Sequence, residues 1–235
     1  MTEAEWLACT DPTPMLEVLR GKVSDRRLRL FVAGCCRRVW EHLTDPKARK
    51  ALELVERAAD GSDIRMKLGR AAVALGEVMY LLERRHGEFG YVYDYQWFPT
   101  EAVLSLLDPR EPGRLAPTTR IGSVPYLITR FVRETSISEY RERDEMAEET
   151  ALSNLLRDVC GNPFQSVSMD PSWQSSIAVA LARSIYEDQA FDRLPILADA
   201  LEDAGCDEPA VLAHCRSDSP HVRGCWAVDR VLGKE

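Results

Sequence analysis

Residues 24–43 read SDRRLRLFVAGCCRRVWEHL, and the reading of this stretch decides the fold. Its apolar residues recur at three- and four-residue steps, which places Leu28, Phe31, Val32, Cys35, Cys36, Val39, Trp40 and Leu43 on one face of a helix. The same step continues downstream through Ala48, Ala51, Leu52, Val55 and Ala59, and again through Leu68, Ala71, Leu75, Val78, Met79 and Leu82. Three antiparallel helices joined by short turns would bury these faces together. Upstream, TEAE at 2–5 has the form of a capping box, with Thr2 as N-cap and Glu5 reaching back. DPTPMLEVLRG at 11–21 predicts a short helix with prolines in its first turn and Gly21 past its end.

Residues 109–125, PREPGRLAPTTRIGSVP, hold four prolines and two glycines, too many breakers for a regular element. Helical periodicity resumes near YLITRFVRE and in the acidic ISEYRERDEMAEETALSNLLRDVCG, then in four C-terminal segments ending with SPHVRGCWAVDRVLG. The expectation is an all-α multi-helix bundle with a C-terminal helical module and at most a short strand pair near 89–98. The division expected is a basic-faced N-terminal bundle at 1–108, a Pro/Gly-rich connection at 109–125 and an acidic C-terminal helical module at 126–235, with one continuous core as the alternative.

The 235 residues are 45% hydrophobic and 29% charged, an ordinary globular composition. MTEAEW lacks the basic and apolar regions of a signal peptide, and no run reaches the roughly 18 apolar residues of a membrane span. The expected location is therefore cytoplasmic. Seven cysteines without framework spacing read as free thiols. The net charge of −8 argues against nonspecific nucleic-acid binding, although residues 20–50 carry ten basic against three acidic side chains.

GxSxG, HExxH, GxGxxG and the phosphate-cradling GxxxxGK[ST] are all missing from the sequence. Three constellations remain. Arg26, Arg37 and Arg38 flank the stripe of the basic helix and could grip an anion, a nucleic acid or an acidic protein surface; equally, they could pair with acidic helices such as 138–150. In FGYVYDYQWF at 89–98, Tyr91, Tyr93, Tyr95 and Trp97 would share one face if extended, as a recognition strip or as a lid packed on the bundle. HCRSDSPHVRGCW at 214–226 collects two histidines and two cysteines.

In that last stretch, Ser219 as N-cap with Pro220 in the first turn would start a helix carrying His221 and Cys225 four apart on one face. With Cys206 and either His214 or Cys215 they would form a Cys/His set that zinc accepts, although no tight C-x2-C knuckle is present. Cys225 and Cys215 also lie on apolar stripes, where free thiols behave as small buried hydrophobes. On the residues alone the packed-thiol reading leads: no zinc, no effect of chelation, and histidines bonded to backbone or solvent.

FVAGCCRRVWEHL, FDRLPILADALEDAGC and HVRGCWAVDRVLGKE resemble a large paralogous group of planctomycete proteins. LADALEDAG is also similar to the helical repeat-companion segments of such genomes. The resemblance implies a lineage and supplies no activity, cofactor or catalytic residue. The function expected from the residues is a cytosolic helical protein-interaction or adaptor unit without cofactor, its partner another protein with an acidic surface. Two alternatives stand beside it: a thiol- or zinc-dependent enzyme centred on Cys225 and His221, and an anion or nucleic-acid binder using the basic helix at 25–43.

Overall fold

The computed structural model describes residues 1–61, 63–89, 97–107, 123–135 and 141–234. The first helices in chain order are α1 (Glu3–Ala8), α2 (Pro12–Leu19), α3 (Asp25–Arg38), α4 (Pro46–Ala59), α5 (Arg65–Phe89) and α6 (Trp97–Leu104). They are followed by α7 (Val124–Thr135), α8 (Arg141–Cys160), α9 (Ser176–Asp188), α10 (Leu194–Asp203), α11 (Pro209–Cys215) and α12 (Trp226–Leu232). The fold is all-α, and no strand occurs among the described residues. Of the segment considered for a strand pair, Phe89 ends α5 and Trp97 and Phe98 open α6, while 90–96 lie outside the described residues. No described helix is long and apolar enough to cross a membrane.

Helix starts follow local chemistry. Thr2 and Glu5 form the capping box, and the side chains of Asp11, Ser24, Asp45 and Ser175 each accept a first-turn backbone N–H. Helix α3 is the hub. Its stripe is broader than the sequence pattern suggested, because Leu30, Ala33 and Gly34 are buried along with Phe31, Val32, Cys35 and Cys36. One side of α3 packs on α4, and the others on α6, α7 and α8.

The hydrophobic interior divides after Cys160. Trp6, Phe31, Leu75, Val103, Ile128 and Leu156 belong to one continuous cluster built by α1–α8. A second cluster, from Ala178 to Val231, is built by α9–α12. Of the connection expected at 109–125, residues 109–122 lie outside the described residues. Beyond it, α7 and α8 bury their apolar faces on α3, in the first cluster.

An ionic hub joins the two clusters. Arg26 on α3 donates to Asp60 (2.9 Å) and to Asp229 on α12 (2.5 Å). Asp60 also accepts from the Tyr186 hydroxyl at 2.6 Å and from Arg223 at 2.9 Å.

Candidate metal centre

Asp158 sits in the last turn of α8, between Leu155 and Leu156 on one side and Val159 and Cys160 on the other, all of them buried. An acid in such surroundings requires donors. It has three: the Val222 backbone N–H donates to Oδ2 at 3.0 Å, while His214 Nε2 and His221 Nδ1 lie 3.1 and 2.6 Å from Oδ1. His214 is presented by the last turn of α11, a short helix begun by Glu208 as N-cap and Pro209. Cys225 completes the group, its Sγ 3.2 Å from His214 Nε2 and 3.9 Å from His221 Nδ1. One donor atom from each of the four side chains lies within 4.8 Å of every other.

The convergence depends on a turn, not on the helix expected from Pro220. Helix α12 begins only at Trp226, with Cys225 as its N-cap; residues 222–225 form a tight turn closed by Cys225 N–H donating to the Val222 carbonyl at 2.9 Å. The reason is Gly224, whose φ of +96° breaks any helix through 220–225. A Cβ on Gly224 would also meet the Leu30 side chain at 2.9 Å, so the turn lies directly on α3. Gly224→Ala is expected to cost about 1–3 kcal/mol in urea unfolding. Gly61→Ala should cost less, since Gly61 shares a positive φ (+82°) but has nothing within 4 Å of an added Cβ.

The site is closed. Side-chain exposure is 1% for Asp158, 5% for His221 and 16% for His214, and Cys225 is fully buried. Burial would raise the Asp158 carboxyl, but hydrogen bonds from the two histidines outweigh it and hold the group below the usual carboxylate range. Burial pushes the Cys225 thiol well above its ordinary value, and the Asp158 charge adds to this. Around the donors, His214 lies tilted against the Trp226 ring at 4.9 Å and meets His221 edge-on at 4.9 Å. Ser217 Oγ lies 3.3 Å from His221 Nε2.

The structure therefore brings together His214, His221 and Cys225 from the sequence-derived set and replaces Cys206 by Asp158. Cys206 is buried in the second cluster, outside this group. Burial of Cys225 and Cys215 agrees with the packed-thiol reading, but the histidines are not helix-end groups bonded to backbone or solvent. They face a buried carboxylate and a thiol.

The three arginines read as an interaction surface are instead all paired within the chain, and Arg26 and Arg37 are partly covered. Arg26 holds Asp60 and Asp229, Arg37 makes a bidentate pair with Glu56 (2.8 and 2.8 Å), and Arg38 one with Glu148 on the acidic α8 (2.6 and 2.8 Å). An anion or nucleic-acid site there would need them free. Tyr91, Tyr93 and Tyr95 lie outside the described residues, and of Trp97 only its place at the start of α6 is described. No family model, curated protein or solved structure matches the chain.

Proposed function

We propose that Asp158, His214, His221 and Cys225 bind one zinc ion as a structural centre that fastens the C-terminal helices to the α1–α8 bundle, making the protein a metal-fastened helical scaffold. The observation that carries this is the convergence of an oxygen, two nitrogens and a sulfur in a buried site. Zinc bonds of about 2.0–2.3 Å in tetrahedral geometry separate neighbouring ligand atoms by about 3.3–3.7 Å. The separations of 2.6, 3.1, 3.2 and 3.9 Å bracket that range.

The donor set supports zinc over harder cations. A thiolate and two imidazoles suit zinc and disfavour magnesium or calcium, which prefer all-oxygen shells. Thiolate and carboxylate together cancel the charge of Zn²⁺, so the buried site would be neutral. Binding breaks the Cys225 S–H bond and releases its proton to solvent. His221 would ligate through Nδ1 and carry its proton on Nε2, where Ser217 Oγ can accept it and fix the ring. Four protein ligands leave no open position for a substrate, which favours a structural over a catalytic ion. The full burial of Cys225 likewise disfavours a thiol enzyme.

Elemental analysis of purified protein tests the reading: about one equivalent of zinc is expected, falling below a tenth in Asp158→Ala and His214→Ala. Cys206→Ser should retain it. Cobalt substitution should give the intense near-ultraviolet thiolate band of a tetrahedral site, absent in Cys225→Ser. Wild-type protein that refolds with neither zinc nor cobalt would show that Asp158 is instead the centre of a metal-free hydrogen-bond cluster.

A further inference from the structure

Helix α5 is apolar on two opposite sides. Leu68, Leu75, Val78, Met79 and Leu82 are buried, whereas Met66, Val73 and Tyr80, spaced seven apart, are each more than half exposed. A helix of this kind is stable in a sandwich and out of place at a surface. Arg70 and Glu77 lie on the same exposed face between these residues, because steps of four and three residues stay on one side of a helix. Met66, Gly69, Arg70, Val73 and Glu77 form one open patch along it.

We infer that this face docks against the same face of a second copy of the chain, as an antiparallel helix pair on a two-fold axis at Val73. The inference is independent of the zinc site. It rests on self-complementarity, which an isologous contact requires. Running α5 against itself about Val73 sets Met66 opposite the second copy's Tyr80 and Val73 opposite its own equivalent. It sets Arg70 beside the second copy's Glu77, and the symmetry makes that ion pair twice. A parallel pairing would place Arg70 against Arg70 and Glu77 against Glu77. Gly69 lies at the edge of the face, leaving room for a facing side chain. Glu77 meets Lys47 at 3.8 Å within the chain, but both side chains are at least half exposed, so this pair is easily exchanged. One helix-to-helix contact lies at or below the roughly 1,200 Å² of the smallest stable interfaces, so a dimer of micromolar affinity is expected.

Sedimentation velocity of the 235-residue chain from low to high micromolar concentration tests this. Wild type should pass from monomer to dimer, and Val73→Arg, which sets two like charges on the axis, should stay monomeric with unchanged helix content. Arg70→Glu should weaken the dimer about tenfold, and Arg70→Glu with Glu77→Arg should restore it. Restoration separates a lost contact from a damaged fold, and the charge pair decides the matter even if Val73→Arg fails to fold. A wild type that is monomeric throughout, a Val73→Arg variant that still dimerises, or a double reversal that fails to restore association would overturn the inference.

Discussion

Chelation at neutral pH is expected to open α9–α12 while leaving α1–α8 folded. Structural zinc contributes on the order of 10 kcal/mol where ligands exist only in the native state. That is comparable to the whole stability of a typical domain, about 5–15 kcal/mol. The second cluster is small, sixteen buried hydrophobic residues, and three of the four ligands fall from the last turn of α11 to the N-cap of α12. Without the ion, His214 and His221 still donate to Asp158, so the loss should fall short of the full binding energy. Hydrogen exchange with and without a chelator measures this by segment: amides of α10–α12 should exchange much faster, and those of α3 and α4 should not change. Uniform protection after the metal is removed would mean that packing alone holds the module.

Arg26→Met should be the most damaging single substitution outside the site. Asp229 is fully buried, and among the described residues the hydrogen bonds to its carboxylate come from Arg26. Removing the guanidinium strands a buried carboxylate, which typically costs about 3–5 kcal/mol. Asp60 is better insured, since Arg223 and Lys234 remain within 2.9 and 3.6 Å. The loss should depend on pH in a definite direction. Burial already raises the Asp229 carboxyl above its ordinary value despite Arg26, and without Arg26 it must rise further. A raised acid in the folded state takes up its proton before the unfolded chain does, near about 3.9, so lowering the pH relieves the penalty. The stability gap between Arg26→Met and wild type should therefore be widest near neutrality and narrow as the pH falls toward 5. A gap independent of pH would assign the loss to packing.

The helices were legible because their causes are local. The capping box at Thr2, the stripe of α3 and the glycine after α2 each act within a few residues. What the periodicity of 24–43 could not show was that Leu30 and Gly34 are also covered, since Gly224 and Val222 approach them from the far end of the chain. The candidate centre was half legible. His214, His221 and Cys225 stand close in sequence, whereas Asp158 lies 56 residues before His214 in a helix that carries five other acids. Its signal was there: it is the one acid set inside LLRDVC, among apolar residues on both sides. Pro220 as a helix start predicts the wrong backbone for the right pair, because Gly224 takes a positive φ that breaks a helix through 220–225. The arginines misled for a similar reason, as a basic helix edge looks the same in sequence whether water or a buried carboxylate faces it.

The division of the interior after Cys160 also has a consequence for the nascent chain. Asp158 belongs to the helix that completes the first cluster, yet it leaves the ribosome 56 and 63 residues ahead of His214 and His221. At about 5–20 residues per second, the bundle waits roughly 3–12 seconds with that carboxylate uncovered. During this interval a divalent ion finds one oxygen ligand and no nitrogen or sulfur. Capture of zinc in this site would then be an event of late synthesis, marking chains in which both clusters have formed and met in register.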